Sequence, residues 1–238
     1  VDEFEMSNGL MIDEPGSGYD PQNPYEGREL RFYANIVYNG RDYRGRNVEY
    51  YLAEEGSGVA PGIDSKNSPV QPWNASPTRY NPYKYMDERL SQGNINATPP
   101  NTPYIVFRLA EMYLNYAEAQ WHLENDGEAR EYINKLRRRV GAPEISSSGE
   151  ELLEDIRHER RVEMAFEKDH RWCDLRRWEI LEETMHDVVG MGIWKSDDGT
   201  LRYERIVVQS RSYNPKQYSL PIPLSEIQKS GLTQNPGY

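Results

Sequence analysis

"YIVFRLAEMYLNYAEAQWHLENDGEAREYINKLRRRVGAP", residues 104–143, decides the fold class, because its apolar residues recur at helical spacing on both sides of a turn signal. The first half carries two apolar faces, formed by Leu109, Met112, Tyr116, Ala119 and Leu123 and by Ala110, Leu114, Ala117 and Trp121. A helix with two apolar faces is expected to be buried between neighbouring elements. The stretch therefore predicts a helical block in the middle of the chain.

A second helix follows the first after a short turn. Residues 125–127, Asn-Asp-Gly, are a turn signal, and the next apolar residues again share one helical face. This inner face consists of Ala129, Tyr132, Ile133 and Leu136. Gly141 and Pro143 are expected to end the helix. Two helices joined in this way, with small and aromatic residues at the packing positions, resemble a tetratricopeptide hairpin.

A third helix is predicted from a capping-box pattern. Ser148 is followed by Glu151, so hydroxyl and carboxylate can accept from the free N–H groups at a helix start. We expect this helix to run towards Glu167. Residues 104–190 contain one proline, Pro143, which agrees with a helical block.

Residues 1–103 differ in composition from the helical block. They contain eleven of the sixteen prolines and more than half of the tyrosines, and they are predicted to form long loops. "RFYANIVYNG" (31–40) predicts a short strand, with "NVEYYLA" (47–53) as its antiparallel partner. Near the end of the chain, "RIVVQSRSY" (205–213) predicts a strand before the extended, proline-containing segment 219–227.

Composition excludes several classes of function. The net charge of −11 argues against a nucleic-acid partner, because phosphate binding needs a surplus of Lys and Arg. No apolar run approaches 18 residues, so no transmembrane helix is predicted, and the opening "VDEFEM" lacks the features of a signal peptide. Cys173 is the single cysteine, which excludes an internal disulfide and a cysteine-based zinc cluster. No cofactor or metal is predicted.

Four stretches, in order along the chain, carry a family resemblance. They are "RLAEMYLNYAEA" (108–119), "INKLRRRVGAP" (133–143), "ERRVEMAFEKDHRWCDLRRW" (159–178), and "LPIPLSEI" (220–227) followed by "QNPGY" (234–238). Together they resemble the C-terminal half of SusD/RagB-type nutrient-binding proteins of the bacterial outer membrane. "EFEMSNG" (3–9) and "GRELRFYANIVYNG" (27–40) are similar to segments that precede the variable loops of that family.

The resemblance implies a mainly α-helical, SusD-like fold, with tetratricopeptide-like hairpins, a large loop-rich region and a few short strands. We expect one unit over residues 1–238, made of a loop-rich ligand-side segment (1–103), a helical scaffold (104–190) and an extended C-terminal segment (191–238). The family's N-terminal half, with its lipid-anchor cysteine, is expected to be absent from this chain. The QNPGY end is expected to dock with the ring of Tyr238 buried.

For function, the resemblance implies a lipid-anchored protein on the extracellular face of the outer membrane. Such proteins cover a TonB-dependent, SusC-like transporter, capture oligo- or polysaccharides and perform no chemistry. Contact with the membrane would run only through the anchor outside this chain. A peptide-binding member of the same family is the alternative, and the sequence does not separate the two ligand classes. A module that grips a partner peptide with its helical hairpin is a further alternative, but it leaves the tyrosine-rich loops without a role.

The loop of residues 54–83 contains the candidate ligand-binding residues. Sugars stack their C–H faces on aromatic rings while their hydroxyls bond to amides, so aromatics in polar loops are suited to glycans. The candidates are Trp73, Asn74, Tyr80, Asn81 and Tyr83, with Tyr43 upstream. Trp194 is a weaker candidate. The alternative is that these rings pack the loop onto the helices.

Glu159, Glu163 and Glu167 share one helical face at spacings of four residues. Two of them could act as the acid and base of a glycoside hydrolase, which need carboxyls about 5–10 Å apart. Arginines surround them, so the favoured interpretation is a structural ion-pair network.

Other reactive residue types indicate no site. His158 and His170 lack metal-ligand spacing, Cys173 is interpreted as a small buried hydrophobe, and residues 197–199, Asp-Asp-Gly, are interpreted as a turn rather than a calcium loop.

Overall fold

The structure is a computed structural model that describes residues 1–87 and 102–238. The described chain forms two compact units. The first consists of Val1–Glu167 and Gly190–Arg205, and the second of Lys168–Val189 and Ile206–Tyr238. Among the helices of the described residues, none is both long and apolar enough to cross a membrane.

Three helices form the scaffold of the first unit, as the sequence predicts. They are α2 (Leu109–His122), α3 (Asp126–Arg139) and α4 (Gly149–Glu163). Their shared core consists of Ala110, Leu114, Ala117, Ala129, Ile133, Leu136, Leu152, Ile156 and Met164. Small residues on α2 and α3 let the two backbones approach while larger side chains of α4 close the core. The hairpin and the mainly helical fold class are confirmed.

α2 buries one of its two predicted apolar faces and exposes the other. Ala110, Leu114 and Ala117 are buried, because α3 and α4 both pack against their side of the helix. The exposed face is formed by Leu109, Met112, Tyr116, Ala119 and Leu123. The prediction that α2 is buried on both faces is therefore wrong, as far as the described residues show.

The helix ends differ in detail from the sequence prediction. The chain reverses at Glu124, whose φ is 58°, so Asp126 is already the first residue of α3. Its carboxylate accepts from the N–H of Gly149 at 2.7 Å and thereby joins the starts of α3 and α4. Ser148 is the N-cap of α4, but its side chain forms no capping bond, so the capping box is not formed. α4 ends at Glu163 and does not reach Glu167.

The first helix of the loop-rich region lies where a strand was predicted. α1 (Leu30–Asn35) precedes β1 (Ile36–Val37). Phe32 and Ile36 lie four residues apart, and both are buried in one cluster with Phe4, Tyr25 and Val162. This i, i+4 burial favours a helical turn over the alternation of a strand, which is why the prediction for residues 31–35 was wrong.

Short strands shape the rest of the loop-rich region. β1 pairs with the later strand β5 (Asn81–Pro82), with Val37 opposite Asn81. β2 (Asp42–Tyr43) and β3 (Arg46–Asn47) form an antiparallel hairpin with a two-residue turn. Buried Val37, Val48, Tyr50, Met191 and Ile193 form the apolar cluster of this region.

A three-stranded sheet has the order β4, β6, β7. β4 (Leu52–Ala53) runs parallel to β6 (Val188–Lys195), and β7 (Leu201–Gln209) follows β6 through a turn. The predicted pairing of segment 47–53 with segment 31–40 is therefore wrong for β4. The turn itself confirms the interpretation of residues 197–199, since Ser196 N–H donates to the Thr200 carbonyl at 3.1 Å.

The second unit contains α5 (His170–Arg177), α6 (Leu181–Thr184) and α7 (Leu224–Ser230). Cys173 is exposed on α5, whose buried side chains are Asp174 and Leu175, so the expected burial of this thiol was wrong.

The C-terminal segment is held by amide side chains. Gln234 exchanges two hydrogen bonds with the backbone of Ile222, at 2.8 and 2.9 Å, and Asn235 donates to the Leu220 carbonyl at 2.6 Å. Tyr238 remains 46% exposed, with its hydroxyl donating to the Lys216 carbonyl at 3.2 Å. The tail is docked through Gln234 and Asn235, but the predicted burial of the Tyr238 ring is wrong.

Candidate ligand-binding cavity

A cavity of about 400 Å³ lies in the loop-rich part of the first unit. Its lining residues are Val37, Tyr43, Arg44, Arg46, Val48, Tyr50, Ile63, Asp64, Gln71, Asn74, Asn81, Pro82 and Met86. The volume falls within the range of small-ligand pockets, about 300–1,000 Å³. The lining combines apolar side chains with polar ones that can fix the orientation of a ligand, as binding pockets do.

One wall of the cavity is tied to the apolar cluster by hydrogen bonds. Asn81 on β5 donates from its side-chain amide to the hydroxyl of Tyr50 at 2.7 Å. The N–H of Tyr50 in turn donates to the side-chain oxygen of Asn39 at 2.8 Å. Burial raises the pKa of the Tyr50 phenol, although the hydrogen bond from Asn81 acts in the opposite direction. The phenol is therefore neutral at physiological pH.

The β2–β3 hairpin supplies Tyr43, Arg44 and Arg46. Arg46 forms two hydrogen bonds with Asp64, at 2.7 and 2.8 Å, and Asp64 also accepts from the N–H of Glu49 at 2.9 Å. Burial alone would raise the pKa of the Asp64 carboxyl, but the bonds from Arg46 and Glu49 outweigh burial and lower it. Asp64 is thus a carboxylate whose charge is matched by Arg46.

The loop from residue 62 to residue 74 closes another side. Gly62 donates to the Tyr51 carbonyl at 2.9 Å and lies so close to Glu49 that a Cβ would meet its carbonyl oxygen at 2.3 Å. Buried Ser68 accepts from the N–H of Val70 at 3.1 Å. A 3₁₀ turn, Pro72–Asn74, follows. These contacts hold the loop in one path without regular secondary structure.

The structure brings half of the predicted ligand-binding residues together. Tyr43, Asn74 and Asn81 line the cavity. Trp73 is 80% exposed and lies between two lining residues in sequence, Gln71 and Asn74.

Tyr80 and Tyr83 do not line the cavity but pack against other side chains. The Tyr80 ring lies 6.2 Å from the ring of Tyr25, edge to face, and is half-buried. The guanidinium of Arg41 lies 3.6 Å from the centre of the Tyr83 ring. Contact of these two rings with a ligand stays a prediction. Trp194 also lies outside the lining, with the Arg202 guanidinium 4.3 Å from its ring.

Sequence reasoning missed four polar lining residues: Arg44, Arg46, Asp64 and Gln71. A signal for two of them was present, since Arg44-Gly45 separates the short strands β2 and β3 as a two-residue turn does. Pairing of Arg46 with Asp64 across 18 residues leaves no local signal.

The three carboxylates form an ion-pair network, as interpreted from the sequence, although Glu167 lies beyond the end of α4 and does not share its helical face. Glu159, Glu163 and Glu167 are 1%, 4% and 5% exposed. Their cationic partners are Arg31, Lys84, Arg108, Arg137 and Arg139. A second cavity, of about 270 Å³, borders this network.

The cations around Glu163 and Glu167 lower the pKa of both carboxyls. Burial would raise the pKa of Glu163, but the hydrogen bond from Arg108 and the charges of Arg139, Arg108 and Arg31 outweigh it, so the pKa is lowered. The pKa of Glu167 is lowered in the same way, against burial, by hydrogen bonds from Arg108 and Lys84. A general acid must carry a proton near neutral pH, and these two carboxyls do not.

Metal binding finds no support in the described residues. Within residues 1–87 and 102–238, no group of three or more His, Cys, Asp or Glu side chains is placed to hold a metal ion. A ring nitrogen of His158 lies 2.7 Å from the Glu3 carbonyl, which gives that histidine a structural contact.

The sequence model of the SusD family matches this chain over residues 1–238. The chain therefore belongs to the SusD family.

Individual relatives agree with the family assignment. SusD-like protein P25 of Formosa agariphila is 36% identical over 129 residues, which are 52% of this chain and 22% of the relative. The crystal structure of a SusD-like protein from Bacteroides fragilis is 34% identical with a TM-score of 0.76, covering 100% of this chain and 46% of that one.

A second Bacteroides fragilis structure, of a SusD-like carbohydrate binding protein, is 24% identical with a TM-score of 0.70 and covers 95% of this chain and 45% of that one. The chain spans less than half the length of each of these relatives.

Proposed function

We propose that the protein binds a glycan in the 400 Å³ cavity and holds it without chemical conversion. The observation that carries this proposal is the convergence of aromatic rings, side-chain amides and an apolar wall on one cavity of ligand size. Tyr43 and Tyr50 supply the rings, and Val37 and Val48 belong to the apolar wall. The amides are those of Gln71, Asn74 and Asn81. A pyranose presents the complementary groups, with apolar C–H faces and a rim of hydroxyls.

The exposed indole of Trp73 supports the same proposal. An indole that is 80% exposed contributes little to packing. Trp73 lies in the Pro72–Asn74 turn, directly before Asn74, which lines the cavity. Stacking on such a ring is worth about 1–3 kcal/mol per ring, by analogy with nucleobases on aromatic side chains. A glycan longer than the cavity could place one sugar inside and another on Trp73.

Binding without turnover is supported by the state of the carboxylates in the ion-pair network. Glu159, Glu163 and Glu167 are buried and paired with cations, so none of them is an accessible nucleophile. The lowered pKa values of Glu163 and Glu167 also leave these two without the proton that a general acid needs. Membership of the SusD family agrees with this, because the second Bacteroides fragilis structure with the same fold is that of a carbohydrate binding protein. These observations support a binding protein over a hydrolase.

Capture would be the first step of uptake. We propose that the longer protein is a lipoprotein of the bacterial outer membrane, exposed at the cell surface, and that it passes its ligand to a SusC-like, TonB-dependent transporter. Membership of the SusD family supports this placement. A copurification of the full-length protein with such a transporter from outer membranes would test it, and recovery in the soluble cell fraction would count against it.

Glycan binding is tested by affinity gel electrophoresis and calorimetry with a panel of polysaccharides. Trp73→Ala is expected to weaken binding about 5- to 150-fold, the equivalent of one stacked ring. The matched control is Tyr104→Ala, because Tyr104 is 76% exposed and lies outside the lining. Equal loss in both variants would remove Trp73 from the site.

Two other results would change the proposed function. Binding of peptides but of no glycan would assign the cavity to the peptide-binding class of the family. Release of reducing ends that disappears in Glu163→Gln, provided that this variant remains folded, would show that the network is catalytic.

A further inference from the structure

Among the described residues that line the cavity, one arginine has no carboxylate partner. These residues include two cations, Arg44 and Arg46, and one anion, Asp64. Arg46 and Asp64 neutralise each other through two hydrogen bonds. Arg44 forms no ion pair with a carboxylate anywhere in residues 1–87 and 102–238. The described part of the lining therefore carries a surplus of one positive charge, on Arg44.

The contacts of Arg44 hold its guanidinium without neutralising it. One terminal nitrogen donates to the backbone carbonyl of Asp87 at 3.1 Å, and the guanidinium lies 5.1 Å from the centre of the Tyr43 ring. Its Nε is buried and has no hydrogen-bond partner in the described residues. An arginine with donors to spare on a partly desolvated wall is suited to charge-assisted hydrogen bonds with an anionic oxygen.

The backbone of Arg44 adds an independent observation. Arg44 and Gly45 are the two central residues of the β2–β3 turn, with φ values of 54° and 79°. Two positive φ values are what a type I′ turn requires, and Asn-Gly is the sequence that adopts it most readily. A long, non-glycine side chain in the left-handed region is uncommon and concentrates at functional sites. The position thus holds an arginine where the backbone alone would favour asparagine.

From these observations we infer that the cavity selects glycans that carry an anionic group, either a uronate carboxylate or a sulfate ester, and that Arg44 determines this selectivity. The inference rests on the proposed glycan binding and adds the class of glycan. Arg44 would donate to the anionic oxygens, while Tyr43 and the lining amides contact the rest of the sugar. The overall charge of −11 does not oppose this role at short range, because distant surface charges are screened within about 8–10 Å at physiological salt.

The test compares polysaccharides with and without their charge. The panel consists of homogalacturonan, alginate and glucuronoxylan, each beside its carboxyl-reduced form, and a sulfated galactan beside its desulfated form. We expect at least one anionic member to bind about 10- to 100-fold more tightly than its neutral partner, as one or two charge-assisted hydrogen bonds provide. This preference should shrink between 0.05 and about 0.5 M salt, because ions screen charge but not stacking.

Arg44→Asn is the decisive variant. It removes the charge but leaves Asn-Gly in the turn, so the hairpin should fold at least as well, and thermal unfolding verifies that. We expect it to lose the anionic preference while binding the neutral partner as before, and Arg44→Lys to keep part of the preference. Arg138→Gln, which removes an exposed charge on α3, is the control and should change neither affinity.

The outcomes separate the two proposals. Equal affinity of the wild-type protein for charged and neutral partners would overturn the inference and leave glycan binding standing. An anionic preference that persists in Arg44→Asn would overturn the role of Arg44. Failure to bind any member of this panel or of the broader polysaccharide panel would overturn the proposed function, and this inference with it. Carboxylated and sulfated arms show which anionic group is recognised.

Discussion

Asn81 and Tyr50, 31 residues apart in sequence, are joined by a 2.7 Å hydrogen bond that links the cavity wall to the apolar cluster. Tyr50 is 4% exposed, so its hydroxyl depends on this amide for a partner in place of water. The bond thus couples the stability of the fold to the shape of the cavity. Asn81 therefore differs from lining residues whose side chains do not hold the cavity wall in place.

We expect Asn81→Ala to lower both stability and affinity. It leaves the buried Tyr50 hydroxyl without its donor, at a cost of about 1–2 kcal/mol, which urea denaturation measures. Asn74→Ala is the matched comparison, because Asn74 lines the same cavity but is exposed. It should weaken glycan binding with little change in the urea midpoint. Equal midpoints for the two variants would show that the Asn81–Tyr50 bond contributes nothing to folding.

The close contact between Gly62 and Glu49 gives a direct test of the path of the loop. A Cβ at residue 62 would lie 2.3 Å from the backbone oxygen of Glu49, and a backbone atom cannot move aside as a flexible side chain can. We expect Gly62→Ala to destabilise the protein by at least ~1–3 kcal/mol, the usual cost of overpacking. Thermal unfolding measures it.

Gly58→Ala is the control for that substitution. A Cβ at residue 58 would meet its nearest neighbour, an oxygen of Asp197, at an ordinary 3.6 Å. We expect its melting temperature to match that of the wild type. If both alanine variants melt together, the loop takes another path in solution.

Some elements of the fold are encoded locally in the sequence, whereas others depend on contacts with distant residues. The α2–α3 hairpin was predictable because each helix repeats its apolar residues within a few turns of chain. Segment 31–40 was not, because the choice between helix and strand depends on Phe4 and Tyr25, which Phe32 contacts across the fold. Local preference there yields to distant packing partners.

The candidate site was predictable only where composition revealed it. Aromatic and amide residues in a proline-rich loop indicated Asn74 and Asn81, and both line the cavity. Arg44 reaches the cavity because it lies in the turn of the short β2–β3 hairpin, and Asp64 is held there by its pairing with Arg46. Such pairings depend on the path of the loop, which has no period and therefore no sequence signal.

Replacing Glu159 tests the buried ion-pair network. Glu159 is 1% exposed and contacts both Arg31 and Arg137, so Glu159→Gln leaves two buried guanidinium groups with less negative charge. We expect a loss of about 3 kcal/mol, the usual result of breaking a buried pair from one side. Glu131→Gln breaks the exposed pair with Arg138 and should leave the urea midpoint unchanged. A silent Glu159→Gln would mean that water or neighbouring charges compensate fully.

Acid should unfold the protein through Glu163 and Glu167. Both carboxyls have a lower pKa in the folded chain than the ordinary value near 4.5. Their contribution to stability is therefore fully present above about pH 5 and is lost as the pH falls through the folded-state pKa values. Glu29 acts in the opposite direction, because burial raises its pKa in spite of Arg31, so protonating Glu29 in acid costs the fold nothing.

Urea denaturation at pH 7, 5, 4 and 3 measures the resulting slope. The free energy of unfolding should be nearly constant from pH 7 to 5 and fall below pH 4.5. Glu167→Gln cannot bind the proton that Glu167 binds in acid, so this variant should start from a lower stability and decline less steeply. If the variant and the wild-type protein decline in parallel, Glu167 is not among the groups whose protonation unfolds the chain, and the acid sensitivity belongs to Glu163 or to other carboxylates.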